Sequence, residues 1–188
     1  GVDCIIPNYN YLKENADRVK CYIISHAHDD QMGALPYIYR KVPDTIYCSK
    51  LTAELIKSKT LIYGLKPIDY DFHIVENGPT IINNREFVFI NMTHSVPGTL
   101  SVAIDTDEGY IFYASDFIID FGAPSTNQMD FKLLTTLSLK KKILILFSES
   151  CDADKPGHAS PNHRITQHIQ REFLESKGRI FISVYSQN

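Results

Sequence analysis

Residues 21–36 read Cys-Tyr-Ile-Ile-Ser-His-Ala-His-Asp-Asp-Gln-Met-Gly-Ala-Leu-Pro. A short apolar run with strand character ends at Ser25, and three potential metal ligands, His26, His28 and Asp30, follow it directly. Imidazole nitrogens and carboxylate oxygens are ligands that zinc prefers, and a loop leaving a strand can direct alternate side chains at one point. A single histidine beside an apolar strand is more often a buried structural group. Two histidines and an aspartate at this spacing favour a metal site instead.

The segment after this loop is predicted to be helical over residues 32–40, because its apolar residues recur at helical spacing. Pro36 is tolerated only in the first turn of a helix, which places the predicted helix start near Gln31. The loop would then lie against the partly positive end of a helix, where carboxylates and phosphates are stabilised.

The following segments change to a two-residue alternation of apolar and polar side chains, broken by turn signals such as Asn77-Gly78. This pattern predicts an antiparallel meander of five strands over residues 70–75, 80–82, 86–92, 100–104 and 110–113. Helical spacing is found over residues 12–19, 51–57 and 131–139, and a short strand is predicted over residues 45–48. The sequence therefore predicts an α+β or α/β fold, an antiparallel meander with flanking helices.

The last third of the chain adds one strand of the buried kind over residues 143–147, which are all apolar. A helix follows, with Ser160 as the expected N-cap, Pro161 at the first helical position and an apolar residue at every fourth position from Ile165. Residues 179–185 are predicted to form a further strand.

The composition describes an ordinary globular chain. Its 188 residues, 44% of them hydrophobic, suffice for one good-sized domain with its own core. The net charge of −3 provides no overall basic field, so RNA binding would need a local patch and is neither supported nor excluded.

The expected cellular context is the cytoplasm, without a membrane. Four cysteines are scattered without a C-x-x-C spacing, as is typical of a reducing compartment. No apolar run approaches the roughly 20 residues that a membrane span requires, and no signal peptide is found. The chain begins at Gly1 rather than methionine and stops after a strand-like run, so we expect both ends to belong to a longer protein.

Three further side chains follow predicted strands and could complete the metal site. His94 follows the strand at 86–92, Asp116 follows that at 110–113, and Glu149 follows that at 143–147. Alone, His94 could be a turn histidine and Asp116 a helix cap. Glu149 could be a cap or could position a ligating histidine as an outer carboxylate. The remaining histidines are weaker candidates, since pattern alone seldom separates solvated from functional ones; they are His73, His158, His163 and His168.

The loop 25–37 resembles the His-x-His-x-Asp-His-x-Gly motif of the metallo-β-lactamase fold, in the form seen in the ribonuclease J family. Other segments resemble signatures of that family in the same order, namely residues 1–7, 93–97, 115–117, 148–150 and 156–157. Residues 178–182, Gly-Arg-Ile-Phe-Ile, are similar to the start of its inserted β-CASP domain. The resemblance runs over nearly the whole chain.

This resemblance implies a partial αββα metallo-β-lactamase sandwich. Residues 1–178 would be its first segment, lacking the opening strands, and residues 179–188 would begin the β-CASP insertion. The implied activity is that of a metal-dependent ribonuclease, both endonuclease and 5′-to-3′ exonuclease, in which zinc-activated hydroxide attacks a phosphodiester in RNA processing and decay. The implied partners are RNA and either further copies of the chain or a paralogue.

The resemblance also assigns roles to individual side chains. The first metal would be held by His26, His28 and His94, with Asp116 bridging to a second metal bound by Asp30. The catalytic residues would be Asp30, Asp116 and Glu149, the last matching the acidic signature of the β-CASP group. The cofactor is therefore zinc, with one ion expected and two possible.

The sequence departs from the family pattern at two places. Gln31 stands where the family has histidine, and a neutral amide oxygen is a weaker zinc ligand than imidazole, so the second metal is in doubt. Gly98-Thr99 stands where ribonuclease J usually has an acid followed by serine. Two alternatives therefore remain open. One is a catalytically weak RNA-binding or scaffolding paralogue that partners an active ribonuclease J; the other is a different hydrolase on the same fold.

Overall fold

Two β-sheets form the centre of the protein. The computed structural model describes residues 5–151, 153–157 and 165–183. The first sheet is parallel, in the order β1, β2, β3, with bounds Tyr22–Ile24, Ile46–Cys48 and Phe72–Ile74. The second sheet has five strands in chain order, β4 to β8, with bounds Gly78–Ile82, Arg85–Asn91, Leu100–Thr106, Gly109–Tyr113 and Ile143–Phe147.

The second sheet combines two kinds of pairing. Strands β4 to β7 are antiparallel neighbours, whereas β8 runs parallel to β7. Because β5 and β7 are both antiparallel to β6, the carboxyl ends of β5, β7 and β8 lie at the same edge of the sheet. This arrangement brings the loops after those three strands together.

The described residues form six α-helices beside the sheets, α1 to α6, with bounds Asn10–Glu14, Asp29–Met32, Leu35–Tyr39, Lys50–Ile62, Phe131–Lys140 and Ile165–Glu175. The start of α4 is fixed by Ser49, whose hydroxyl accepts a hydrogen bond from the Thr52 N–H. Asp130 caps α5 in the same way, through the N–H of Leu133.

Alternating side chains on the strands divide the core into three clusters. One lies between the sheets and includes Val75, Ile82, Phe89, Leu100 and Val102. A second joins the outer face of the parallel sheet to α3 and α4, and a third joins the outer face of the five-stranded sheet to α5. The layers therefore follow the order helices, sheet, sheet, helix. The predicted αββα sandwich is confirmed.

The structure corrects four expectations for individual elements. The predicted strand at 70–75 is present as β3, but it is shorter and is the third strand of the parallel sheet, not the first of the meander. The connection from β2 passes through the 13-residue helix α4, and a crossover of that kind joins parallel strands.

The strand at 143–147 was expected to be buried, yet its five side chains are 38–58% exposed. It is the edge strand of its sheet, so only β7 pairs with it among the described residues. The expected helix at 32–40 is divided into α2 and α3, and Pro36 lies in the first turn of the second.

In the C-terminal part, residues 179–183 do not form the predicted strand. The expected N-cap Ser160 and Pro161 lie outside the described residues, as do His158 and His163. The helix itself is present as α6, and its described side chains are exposed.

Candidate metal centre

The candidate site lies where four strands end. His26 follows β1, His94 follows β5, Asp116 follows β7 and Glu149 follows β8. The two sheets are joined at this edge, because the N–H of Leu100 at the start of β6 donates to the carbonyl of Ser25. The strand order thus places these side chains around one point.

Three imidazole rings converge at this point. The Nδ1 atom of His28 lies 3.0 Å from Nε2 of His26 and 3.1 Å from Nε2 of His94. The ring centroids are 4.8–4.9 Å apart, and the ring planes meet at 76–84°. A single proton on His28 Nδ1 cannot serve both neighbouring nitrogens well, so the arrangement favours a shared cation over mutual hydrogen bonding.

Asp116 completes the group. Its Oδ2 atom lies 3.4 Å from His26 Nε2 and 3.8 Å from His94 Nε2. The four candidate ligand atoms all lie within 4.8 Å of one another. Ser115, immediately before Asp116, has a φ of +59°, an unfavourable conformation for a residue other than glycine that costs about 1–3 kcal/mol. This turn directs Asp116 back toward the histidines at the end of β7.

The spacing fits a tetrahedral metal ion. Zinc–nitrogen bonds of about 2.0–2.1 Å place the ligand atoms of a regular tetrahedron about 3.3–3.4 Å apart. The observed nitrogen–nitrogen separations of 3.0 and 3.1 Å and the His26–Asp116 separation of 3.4 Å are close to that edge. The His94–Asp116 separation of 3.8 Å and the upper limit of 4.8 Å within the group are longer than that edge, so these four residues could hold a metal ion once the Asp116 side chain moves closer to the imidazoles.

The protonation of the site favours the ligating forms. Burial, followed by the neighbouring His94 and His28 rings, lowers the pKa of His26 to about 4. Burial and the His28 ring also lower the pKa of His94. Both imidazoles are thus neutral at physiological pH, and neutral imidazole is the form that binds metal. Burial, then the carboxylates of Glu149 and Asp30, raise the pKa of Asp116, and a cation would relieve that repulsion.

Hydroxyl groups set the orientation of the buried His26 ring. Its Nδ1 atom lies 3.0 Å from Ser25 Oγ and 3.3 Å from Ser115 Oγ. With a proton on Nδ1 donated to these oxygens, Nε2 presents its lone pair to the cluster. The Nε2 atom of His28 has a weaker contact of 3.4 Å with Ser95 Oγ.

Asp30 and Gln31 form the other side of the site and are not part of the four-residue group. The Gln31 Nε2 group donates to Asp30 Oδ2 over 3.0 Å, and a carboxylate only accepts, which fixes the orientation of the amide. The Gln31 Oε1 atom accepts from the Tyr113 hydroxyl at 3.0 Å and from Ser25 Oγ at 3.4 Å. The amide is thus engaged on both sides by hydrogen bonds within the protein.

Glu149 acts on the backbone that follows Asp116. Its Oε1 atom accepts a 2.9 Å hydrogen bond from the N–H of Phe117, and its charge raises the pKa of Asp116. The contact differs from the role considered from the sequence, the positioning of a histidine, because Glu149 holds the turn that carries Asp116.

The segment from Ile118 to Met129 also supports the loop of His94, which sequence reasoning missed. Asn127 Nδ2 donates to the His94 carbonyl over 2.8 Å. The N–H of Ile118 donates to the Thr93 carbonyl, and Thr93 Oγ1 accepts from the N–H of Met129. No spacing rule marks Asn127, because its contact partner is 33 positions away in the sequence.

The backbone conformation and the packing at position 98 explain why glycine is found there. Its φ of +75° is one that favours glycine, and a Cβ atom there would lie 3.1 Å from Ser49 Oγ. Thr99 is buried and donates from Oγ1 to the Val96 carbonyl. The departure at 98–99 is therefore part of the packing of this loop.

The weaker histidine candidates that the structure describes lie away from the cluster. His73 is exposed on β3 beside the Tyr47 ring, and His168 is exposed on α6. No helix among the described residues is long and apolar enough to span a membrane.

Comparison with known proteins identifies the family of this chain, which the site geometry alone does not. Ribonuclease J 2 of Staphylococcus aureus is 32% identical over 190 aligned residues, which include the whole of this chain. The chain belongs to the ribonuclease J family. It spans about a third of that relative, 34% of its length. No family model matches the sequence.

Solved structures that resemble this chain were also found. A protein of unknown function from Enterococcus faecalis superposes with a TM-score of 0.61 at 16% identity, covering 84% of this chain and 39% of that protein. A metallo-β-lactamase from Pontibacter korlensis has a TM-score of 0.47 at 16% identity, covering 89% of this chain and 75% of that protein. The architecture of this ribonuclease J family chain is thus shared with the Enterococcus faecalis protein.

Proposed function

We propose that the protein containing this chain is a metal-dependent ribonuclease that hydrolyses phosphodiester bonds in RNA, as endonuclease and as 5′-to-3′ exonuclease. The observation that supports this most directly is the convergence of His26, His28, His94 and Asp116 in a chain of the ribonuclease J family. The convergence of these four side chains alone would support a metal-binding or hydrolytic site of any kind. The choice of RNA as substrate rests on the family.

The proposed metal ligands are the three imidazole nitrogens and Asp116, and the proposed ion is zinc. When bound there, a metal lowers the pKa of water and withdraws charge from a phosphoryl oxygen. His26, His28 and His94 contribute neutral donors, so the ion would keep most of its positive charge for an anionic substrate. Asp116 has a second carboxylate oxygen, which leaves it able to accept a proton or a hydrogen bond from an attacking water.

We propose that the residues around this group act by orientation. Glu149 holds the turn at Phe117, and Asn127 holds the carbonyl of His94. Asp30 lies on the open side of the site, where its exposed carboxylate could receive a proton or bind a second cation. The engagement of Gln31 by Tyr113 and Asp30 supports one firmly held metal rather than two.

The test is an assay of the full-length protein on 5′-monophosphorylated RNA with zinc or manganese. We expect cleavage by the wild type and its loss in Asp116→Ala. An RNase contaminant would cleave equally in both preparations, so activity that survives in Asp116→Ala, or no activity in the wild type under either metal, contradicts the proposal.

A second candidate function is favoured by one observation, the hydrogen-bonded Gln31. If the second metal position is essential for rapid turnover, this protein would be a weak nuclease that binds RNA or partners an active paralogue. Turnover that is raised at least tenfold by mixing with an active ribonuclease J, above the sum of the two separate rates, would support it. Brisk cleavage by the wild type alone would exclude it.

The remaining features of the proposal follow from the family. We propose a cytoplasmic protein that binds RNA and assembles with copies of itself or with a paralogue. Residues 1–178 would belong to its metallo-β-lactamase domain and residues 179–188 to the beginning of a β-CASP insertion. Size-exclusion chromatography with light scattering on the full-length protein would test the assembly.

A further inference from the structure

A cavity of about 410 Å³ lies beside the metal-ligand loop. Its volume falls within the range of about 300–1,000 Å³ that is usual for small-molecule sites. The residues that line it come from the N-terminal segment, from the start of α2 to α3 and from the end of α4: Ile5, Ile6, Pro7, Asp29, Asp30, Gly33, Ala34, Tyr37 and Tyr63. The proposed reaction has no use for most of these side chains.

Two aromatic rings form one wall of this cavity. The rings of Tyr37 and Tyr63 have centroids 5.9 Å apart and planes inclined by 31°, so they make a nearly continuous surface. Gly33 allows the close approach of this wall, because a Cβ atom there would lie 3.2 Å from the Tyr63 hydroxyl. Apolar side chains of the N-terminal segment also line the cavity, so it suits a flat ring.

The charged groups of the cavity are acceptors. Lys59, which lies 5.3 Å from the centroid of the Tyr63 ring, is paired with both carboxylate oxygens of Asp29 at 2.8 Å. The charges of Lys59 and Asp29 therefore offset each other, while Asp30, whose Oδ2 atom accepts from the neutral Gln31 amide, also faces the cavity. Carboxylates repel a phosphate and attract N–H donors, so a neutral ring with amino groups fits better than an anion.

Asp30 connects the cavity with the candidate metal centre. Its carboxylate accepts from Gln31, whose carbonyl oxygen contacts Ser25, and Ser25 in turn contacts His26. A ligand that lies against Asp30 is therefore three side chains away from the first imidazole of the cluster. A nucleotide next to a phosphate bound at the metal centre could place its base in this cavity.

We propose that the cavity binds one nucleobase of the RNA substrate, by stacking on Tyr37 and Tyr63 and by donation of amino groups to Asp29 and Asp30. This proposal rests on the proposed function, because it takes RNA as the ligand. Stacking on tyrosine accepts every base, whereas the carboxylates favour the amino-bearing bases adenine, guanine and cytosine over uracil.

The test is an abasic scan with the full-length protein. A set of RNA oligonucleotides, each lacking one base near the cleavage position, is compared for binding by fluorescence anisotropy and for KM in cleavage. We expect one position at which loss of the base weakens wild-type binding about tenfold, the scale of one stacking contact. In Tyr37→Leu, the same abasic change has little further effect, because the stacking surface is already lost.

Control variants distinguish the loss of the stacking surface from misfolding of the protein. Tyr37→Phe keeps the ring and should keep the tenfold base dependence. Tyr11→Leu changes an exposed tyrosine that does not line the cavity and should also keep it. If Tyr37→Leu fails to fold, Ala34→Leu narrows the cavity from another wall and should remove the base dependence. At the sensitive position, cytidine should bind more tightly than uridine, because cytosine has a 4-amino donor where uracil has a 4-carbonyl acceptor.

The two proposals fail in different ways. Cleavage of RNA with equal abasic penalties in the wild type, Tyr37→Leu and Ala34→Leu overturns the nucleobase site and leaves the ribonuclease intact. Base-dependent binding that requires Tyr37, without cleavage, supports the site and overturns the ribonuclease. Equal binding of cytidine and uridine overturns the role of the carboxylates, and no binding of RNA overturns both proposals.

Discussion

The two sides of the candidate metal centre are built from the same loop but differ in their contacts. On one side His26 and His28 meet His94 and Asp116, and their ligand atoms all lie within 4.8 Å of one another. On the other side Asp30 is exposed, and Gln31 contacts it and Tyr113 through hydrogen bonds. The first side is arranged for a cation, whereas the second is already satisfied without one.

The hydrogen bonds of Gln31 account for the difference between the two sides. The amide of Gln31 donates and accepts at the same time, so it bridges Asp30 and Tyr113. A neutral histidine also has one donor and one acceptor nitrogen, but its acceptor nitrogen is a strong ligand for zinc. The amide retains the hydrogen-bonding role of such a residue and gives up much of its affinity for metal.

The largest expected effect is that of removing a ligand on the histidine side. His28→Ala should abolish metal binding and lower RNA cleavage by far more than the roughly 10- to 100-fold cost of an outer contact, because His28 touches both other imidazoles. Cleavage rates measured at saturating RNA test this. The matched control is His73→Ala, an exposed histidine on β3 that should leave the rate unchanged. Similar losses in both variants would contradict the assignment.

The metal content should change when the side of Asp30 and Gln31 is given a further ligand. Gln31→His should raise the metal content from about one to about two ions per chain, with an increase in turnover. Mass spectrometry of metals in the purified full-length protein measures the ratio. Gln31→Leu removes the amide without supplying a ligand, and its metal content should stay at one. Two ions already present in the wild type would refute the contrast between the two sides.

Removing a hydrogen bond that supports the histidine side should have a moderate effect on metal affinity. Asn127→Ala removes the hydrogen bond to the His94 carbonyl and should weaken metal binding about 10- to 100-fold, the usual cost of such a contact. Competition with a chromophoric chelator measures the affinity. Gln128→Ala, the neighbouring residue, loses only a contact to the Phe121 carbonyl and should bind metal as the wild type does. Equal affinities for all three proteins would show that Asn127 does not position His94.

Two cysteines provide a comparison that concerns the fold and not the metal. Cys48 is fully buried on β2, and burial raises its pKa to about 12, whereas Cys151 is exposed. At about pH 8, iodoacetamide should modify Cys151 readily and Cys48 only after unfolding. Mass spectrometry of tryptic peptides reads both sites. Equally rapid labelling of the two thiols in folded protein would contradict the packing of the parallel sheet.

The same pKa determines how stability responds to alkaline pH. Above the ordinary thiol pKa of 9.0, the unfolded chain loses the Cys48 proton while the folded chain retains it up to about pH 12. The unfolded state then binds fewer protons, so this thiol lowers the free energy of unfolding as pH rises from 9 toward 12. Cys48→Ala should show a weaker loss of stability over that range in urea titrations.

The sequence predicted the positions of the strands better than it predicted which strands pair. Alternating apolar residues located β5 to β7, and ligands after strand ends located His94 and Asp116, because those signals depend on neighbouring positions in the chain. The pairing of β3 with β2 was missed, since a strand pattern carries no information on which strand lies beside it. The apolar run of β8 shows a capacity for burial, yet its side chains remain exposed among the described residues.

The contacts that orient the site could not be read from the sequence. Ser115 takes a strained conformation, and the bridge from Tyr113 through Gln31 to Asp30 joins residues up to 82 positions apart. Such contacts depend on the packing of two sheets against each other. Gln31 was identified from the sequence as a departure, but its hydrogen bonds were visible only in three dimensions.

The most direct test of the histidine site is anomalous X-ray diffraction at the zinc absorption edge, on crystals of the full-length protein grown with zinc. We expect one peak per chain, bonded to Nε2 of His26, Nδ1 of His28 and Nε2 of His94 at about 2.0–2.1 Å, with Asp116 as the fourth ligand. A peak bonded to Asp30 and Gln31 instead, or no peak among the three histidines, would contradict the assignment.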